Sequence, residues 1–451
     1  MDKLYAFAFG YGRYLVNTLH FLQDFGLKTA LNTLNHENLR SVDIHTLEDQ
    51  PVQKKSQATR ESDVSVFGID ISRDVLRAVT GSPKSGIDFK NISGGDAMYS
   101  FGLNLNISEL PALATQIAGY YANDDYKSGF TWVDNVRRIK EKGQIDLLDN
   151  ELLAAVRTKD PGLVVTLPEI EKWDSILGFS FTRSKDQLSP SLQTDTYLSG
   201  IDSDKLSIES IKRDRLYLTD VHGNEFSHSM YKCVYFECKS TAKTHIIFGG
   251  MWYEIDNTFM GRIKNTLDQV EVSELAFPPI ETWQEGDKMK IETEGDYNIR
   301  AANTQGYYLL DKKLIKSNRT TSPIELCDLL TSSGQFIHVK HRKGGSAGLS
   351  HLFAQGSVAA EIVLGDKAFR KAARTVLNHF SSVARDLIPL DMPKSANYEV
   401  VFLILGDSND TVKDNLPFFS KVNLSRAYEG LSQRGFVVKI AAAQKVARDD
   451  A

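Results

Sequence analysis

The sequence predicts a multidomain α+β protein, and three observations carry that prediction. The chain has 451 residues, room for two to four domains at ~100–200 residues each. Hydrophobic residues make up 41% and charged residues 25%, a composition that excludes a fibre or a wholly disordered chain. Helical and strand-like patterns follow one another with no internal repeat. The net charge is −5, so the chain as a whole is not a basic nucleic-acid-coating protein. The three cysteines, Cys233, Cys238 and Cys327, are too few for a disulfide framework and form no C-x-x-C pair. They point to a reducing compartment without structural zinc. No apolar run approaches ~18 residues, and the opening M-D-K-L-Y-A-F-A-F-G lacks the features of a signal peptide. The expectation is a soluble, cytoplasmic protein with no membrane partner.

Residues 1–160 read as an α+β domain. Leu4, Ala6 and Ala8 alternate with Tyr5, Phe7 and Phe9, a pattern for a strand covered on both faces. Gly10 and Gly12 break it. Helical spacing from Arg13 to Gln23 ends at Gly26. The polar stretch 47–65 reads as a loop. A strand, a turn and a helix over Leu110–Tyr121 follow, with Ser108 as its cap; another helix covers 145–157.

Residues 161–283 read as mostly β. V-V-T-L-P-E-I is a strand ending at Pro168. Between Arg215 and Phe248, L-Y-L-T-D, Y-K-C-V-Y-F-E-C-K and T-H-I-I-F read as one antiparallel set, with H-G-N-E turning between the first two. A helix spans Asn257–Leu267, and F-P-P-I-E-T-W at 277–283 reads as a linker.

Residues 284–451 read as an α/β domain: a helix over 287–302, then strands Y-Y-L-L-D, P-I-E-L-C-D-L-L and Q-F-I-H-V-K. The turn T-S-S-G joins the last two. Helices from about Leu349 and over 367–383 precede the strand Y-E-V-V-F-L-I-L-G, another helix, and the last strand G-F-V-V-K-I-A. This part carries 23 Lys+Arg against 19 Asp+Glu, a net +4, so residues 1–283 carry −5 − 4 = −9. A polyanion would therefore meet the C-terminal part, unless the imbalance only divides solvated faces.

The order helix, three antiparallel strands, helix, strand over 287–405 resembles the core of the PD-(D/E)XK nuclease superfamily. The resemblance implies an acid on the first helix, an Asp on the second strand and an acid-x-Lys on the third. Glu294, Asp328 and His338-Val339-Lys340 stand at those positions. Strand alternation puts His338 and Lys340 on one face, and a hairpin through Gly334 brings Asp328 close. As catalytic residues, the resemblance implies Lys340, His338, Asp328 and Glu294. Asp328, Glu294 and His338 would be ligands for Mg²⁺ or Mn²⁺, with Lys340 orienting the nucleophile or stabilising charge. His338 departs from the usual carboxylate. It would favour Mn²⁺, act as a general base, or mark a core that only binds nucleic acid. The residue-level alternative is a structural histidine beside a solvated lysine.

In S-A-G-L-S-H-L-F-A-Q-G, Leu349, Leu352 and Phe353 share a core face, while His351 and Gln355 are neighbours on another. Ser350, His351 and Gln355, with Arg342 and Lys343 from the basic loop, are the expected substrate-binding residues; a solvated polar face is the alternative. Asp220 with Glu237-Cys238-Lys239 matches the nuclease pattern more literally but lacks the following helix. F-G-Y-G-R is a structural turn, or a phosphate or base contact through Arg13.

As whole segments, F-G-Y-G-R-Y-L, F-G-L-K-T-A-L-N, I-E-L-C-D-L-L, H-V-K and L-S-H-L-F-A-Q-G resemble an uncharacterised family sporadically distributed among bacteria. Its members commonly carry more sequence before F-G-Y-G-R, which implies an N-terminal element missing here. The joint expectation is a metal-dependent, DNA-directed nuclease in phage or mobile-element defence. The setting leaves room for a homo-oligomer or a defence-operon partner. The alternative is a non-catalytic nucleic-acid binder or sensor on a degenerate nuclease fold.

Overall fold

Leu39, Val42, Ile44, Leu76 and Val79 are buried on one side of a long antiparallel pair, and the first sheet grows from it. The computed structural model describes all residues except 1–3, 17–20, 47–51, 72–73, 169–175, 184–187, 239–242, 287, 321, 343–344 and 449–451. Helix α1 (Phe25–Thr33) leads into β1 (Leu34–Thr46), β2 (Val52–Ser62), β3 (Asp74–Pro83), β4 (Lys90–Gly95) and β5 (Met98–Gly102), ordered β2-β1-β3-β4-β5. Helices α2 (Leu110–Ala122) and α3 (Lys127–Phe130) follow. Three expectations change here. Residues 4–9 form no strand; Tyr5 and Phe7 pack on the core while Leu4 and Phe9 stay exposed, and apolar alternation supplies no ladder partner. Of the helix expected over 13–23, residues 17–20 lie outside the described residues; the described part holds a 3-10 turn at Gly10–Leu15, and Gly26 lies inside α1 rather than ending a helix. Much of the expected loop 47–65 is β2, whose polarity is that of an exposed edge strand.

The middle region comprises β6 (Val136–Arg138), α4 (Lys142–Thr158), β7 (Val164–Val165), β8 (Ile176–Ser180), α5 (Thr194–Ser199), α6 (Ile208–Arg213), β9 (Arg215–Asp220) and β10 (Glu225–Ser229). Then come α7 (Met230–Cys233), β11 (Val234–Cys238), β12 (His245–Phe248), β13 (Met251–Ile255) and α8 (Asn257–Asp268). The set expected over 215–248 splits between two sheets, β10-β9-β8 and β6-β13-β12-β11-β7. The short α7 breaks the continuous apolar run that reads as one strand. All three cysteines are buried thiols outside any disulfide.

The C-terminal sheet has the order β14-β23-β22-β21-β20-β17. Its elements begin with β14 (Glu271–Val272), β15 (Ile280–Glu285), β16 (Lys288–Ile291) and α9 (Glu294–Gln305). Four short strands follow: β17 (Tyr308–Leu309), β18 (Leu314–Ile315), β19 (Ile324–Glu325) and β20 (Leu329–Leu330). Next come β21 (Gln335–His341), α10 (Gly345–Gly365), α11 (Lys367–Asn378), α12 (Ser382–Asp386) and β22 (Glu399–Leu405). The chain closes with α13 (Val412–Asn415), α14 (Phe418–Gln433), β23 (Val437–Ala443) and β24 (Lys445–Ala447). β17, β20 and β21 are antiparallel, and β21, β22 and β23 run parallel. A parallel strand covered on both faces is apolar throughout, as E-V-V-F-L-I-L in β22 shows.

Alternation assigns the faces. Phe336, Phe402 and Ile440 share a core with Leu349 and Phe353 of α10, whereas Ile337, Val339, Leu403 and Ala441 share one with Tyr297 and Ala301 of α9. Helix α9 starts later than expected because Thr293 Oγ1 caps it, accepting from the Asp296 N–H, and the residues before it pair as β16 with β15. The expected linker ends in β15, which also pairs with β24. No helix of the described residues is long and apolar enough to cross a membrane.

Candidate functional site

β20 is two residues long and covers β21 only at Leu329↔Ile337 and Leu330↔Phe336. Beyond Ile337 no strand among the described residues lies beside this edge of β21, yet its N–H groups need acceptors. Side-chain carboxylates supply them. The Val339 N–H donates to Asp328 Oδ2 at 2.8 Å, and the His341 N–H donates to Glu294 Oε1 at 2.9 Å. The second oxygen of Glu294 accepts from Lys340 Nζ at 2.8 Å. The hairpin that returns the chain turns at Gly334 (φ 86°), a left-handed position suited to glycine.

Asp311 and Glu325 join Asp328: one oxygen of each lies within 4.8 Å of the others. Backbone geometry assembles them. The Leu310 and Asp311 N–H groups both donate to Asp328 O, and the Lys312 N–H donates to Glu325 Oε1. The other oxygen of Glu325 accepts from Gln355 Nε2 of α10 at 2.9 Å. The first turn of α9 closes over the cluster: a Cβ at Gly295 would lie 3.6 Å from Asp311 Oδ2 and 3.3 Å from Lys312 Nζ.

Burial above all, with the nearby Glu325, Asp311 and Glu294 carboxylates, pushes the Asp328 carboxyl up to about 7, against the Val339 N–H, which lowers it. A buried carboxyl crowded by other carboxylates is a setting in which a divalent cation would be strongly attracted. The three are all oxygen donors, which suit Mg²⁺ or Mn²⁺.

Glu294, Asp328, Lys340 and Gln355 therefore converge on one edge of the sheet. His338 does not join them. Its ring is fully buried against Phe402 and the Gly356 backbone of α10, both ring nitrogens lack a hydrogen-bond partner, and burial lowers its pKa to about 4. It gives no ligand atom to the acidic cluster. Ser350 points to α14, where Asn423 Nδ2 donates to its Oγ at 2.7 Å. His351 is exposed one turn from Gln355. Arg342 is held by Asp407 and the Asn415 carbonyl. Lys343 lies outside the described residues.

At the rival position, Asp220 closes its own turn by accepting from the His222 and Asn224 N–H groups. Glu237 accepts from the Phe418 N–H at the start of α14 with both oxygens, at 2.7 and 2.8 Å. Lys239 lies outside the described residues. Asp311 and Glu325 escape sequence reasoning, because Asp311 sits in the turn after β17 and Glu325 in the two-residue β19, neither of which shows a periodicity. The usable signal is that each is an acid at the end of an apolar pair, in L-L-D and P-I-E.

The chain belongs to DUF6119, a family of unknown function, whose model matches residues 1–444. No curated protein and no solved structure matches it.

Proposed function

For this member of a family of unknown function, we propose a metal-dependent nuclease that hydrolyses phosphodiester bonds in DNA. The observation that carries the proposal is the convergence of Asp311, Glu325 and Asp328 beside the Lys340–Glu294 pair. It lies where three antiparallel strands give way to a parallel one, which supports the reading of a nuclease-like core. Asp311, Glu325 and Asp328 would hold Mg²⁺ or Mn²⁺, which supplies Lewis acidity and an acidified water when bound. Glu294 holds the Lys340 ammonium in place; that cation orients the attacking water or offsets charge developing on the phosphate. Gln355 fixes the Glu325 carboxylate, and His351, exposed on the same helix face, is available to a phosphate. With His338 outside the cluster, the ground for preferring Mn²⁺ disappears. The patchy bacterial distribution of the family it resembles is the ground for a defence role.

The test is incubation of the purified protein with linear, circular and single-stranded DNA and with RNA, in Mg²⁺, Mn²⁺ or EDTA. Cleavage of DNA in either metal and none in EDTA is expected. Lys340→Ala should reduce cleavage by at least a hundredfold while weakening DNA binding only slightly, since one phosphate contact is a small part of a salt-dependent interface. One observation favours a second reading, a non-catalytic binder. Where the superfamily usually has a carboxylate, His338 is a buried imidazole that offers the cluster nothing. Metal-independent DNA binding with no cleavage of any substrate would favour it.

A further inference from the structure

A cleft of about 660 Å³ opens in the middle region, between the β8–β9 pair and helices α5 and α6. Its size falls among small-molecule sites, ~300–1,000 Å³. Its charge runs against its surroundings. Arg183, Lys205, Arg213 and Arg215 line it against Asp202 and Asp214, a net +2, although residues 1–283 carry −9. Lys205 is paired with Asp202 at 3.0 Å. The three guanidinium groups have no carboxylate partner among the described residues.

The same cleft presents aromatic rings. Phe181 and Tyr217 are half-buried in its lining, and Phe181 packs on Tyr197 with ring centroids 5.5 Å apart. Tyr197 is 6% exposed, lines the cleft, and its hydroxyl has no hydrogen-bond partner. An unpartnered buried hydroxyl is destabilising, a cost that a polar ligand atom would remove. Guanidinium groups match phosphate oxygens in fork geometry, and aromatic faces accept a base by stacking.

We propose that this cleft binds a nucleoside phosphate, with the phosphates on Arg183, Arg213 and Arg215 and the base against Phe181 and Tyr217. The assignment goes beyond the nuclease reading and does not depend on it. It is tested by isothermal titration of the full-length protein in EDTA, so that metal-bridged binding at the acidic cluster contributes nothing and a failed cleavage assay leaves the result intact. The probes are ATP, GTP, CTP and UTP, with adenosine, guanosine and inorganic triphosphate as controls lacking phosphate or base.

At least one nucleotide should bind tenfold or more tighter than its nucleoside and than inorganic triphosphate. The double variant R213A/R215A should lose at least tenfold in that affinity; both side chains are exposed, so folding should be little affected. Tyr197→Phe should weaken binding roughly 2–10-fold, the worth of one net hydrogen bond, without lowering the thermal midpoint. The proposal is overturned if no nucleotide binds, if inorganic triphosphate binds as tightly as the best nucleotide, or if the double arginine variant binds like the wild type.

Discussion

Asp328 is a buried carboxyl with one backbone donor, Val339, and acidic neighbours in Asp311, Glu325 and Glu294. Its folded pKa, about 7, stands well above the ordinary 3.8. The folded state therefore holds a proton that the unfolded state has released between about pH 4 and 7. Stability falls as pH rises through that window. His338 acts in the opposite sense: lowered from 6.5 to about 4, it makes stability fall as pH drops from 6.5 towards 4. The two slopes mask each other in the wild type, and Asp328→Asn removes one of them. In EDTA, urea denaturation should show this variant gaining on the wild type by about 2–3 kcal/mol more at pH 8 than at pH 5. An equal difference at both pH values would mean that Asp328 is ionised throughout.

Helix α1 and the β4–β5 hairpin meet glycine to glycine. A Cβ at Gly26 would lie 2.0 Å from Met98 O, and one at Gly94 would lie 2.1 Å from Gly26 O. Gly26→Ala must push the helix off the hairpin, with an expected loss of about 3 kcal/mol, read as a lower denaturation midpoint. Helix α14 depends on a distant cap instead. Glu237→Ala removes the acceptor of the Phe418 N–H and should cost about 1 kcal/mol, while any cleavage stays at the wild-type rate. The sequence shows the elements whose own side chains declare them. E-V-V-F-L-I-L is a buried strand wherever it stands, and Leu349, Leu352 and Phe353 repeat at helical spacing. It hides those made by a partner: β2 is polar because it is an edge, and β16 exists through its pairing with β15. The site divides the same way. Strand alternation and one hairpin bring Asp328 towards Lys340, whereas Glu294, on α9, comes only from the resemblance to the nuclease core. Asp311 and Glu325 arrive through two-residue strands and a turn, and His338 obeys the alternation yet is sealed by α10.

The middle and C-terminal regions share one core. Phe259, Ile263 and Leu267 of α8 are buried with residues of α10 and α14, and Lys413 Nζ donates to the carbonyls of Leu267 and Val270 at 3.3 and 3.1 Å. β14, ahead of residue 284, is the edge strand of the C-terminal sheet. A fragment starting at residue 284 should therefore show broad, non-cooperative thermal melting, whereas one starting at residue 134 should melt cooperatively; a sharp transition for the shorter fragment would refute the shared core. The pairing of Val272 with Ile440 also sets a schedule on the ribosome. At ~5–20 residues per second, the strand that β14 needs emerges about 10–30 s after β14 itself. Through that interval α8 has left the tunnel with its apolar face lacking α14, its final cover. The newborn chain is then most exposed to chaperones, proteases and neighbouring copies of itself, and slow codons near the C-terminus would lengthen that window.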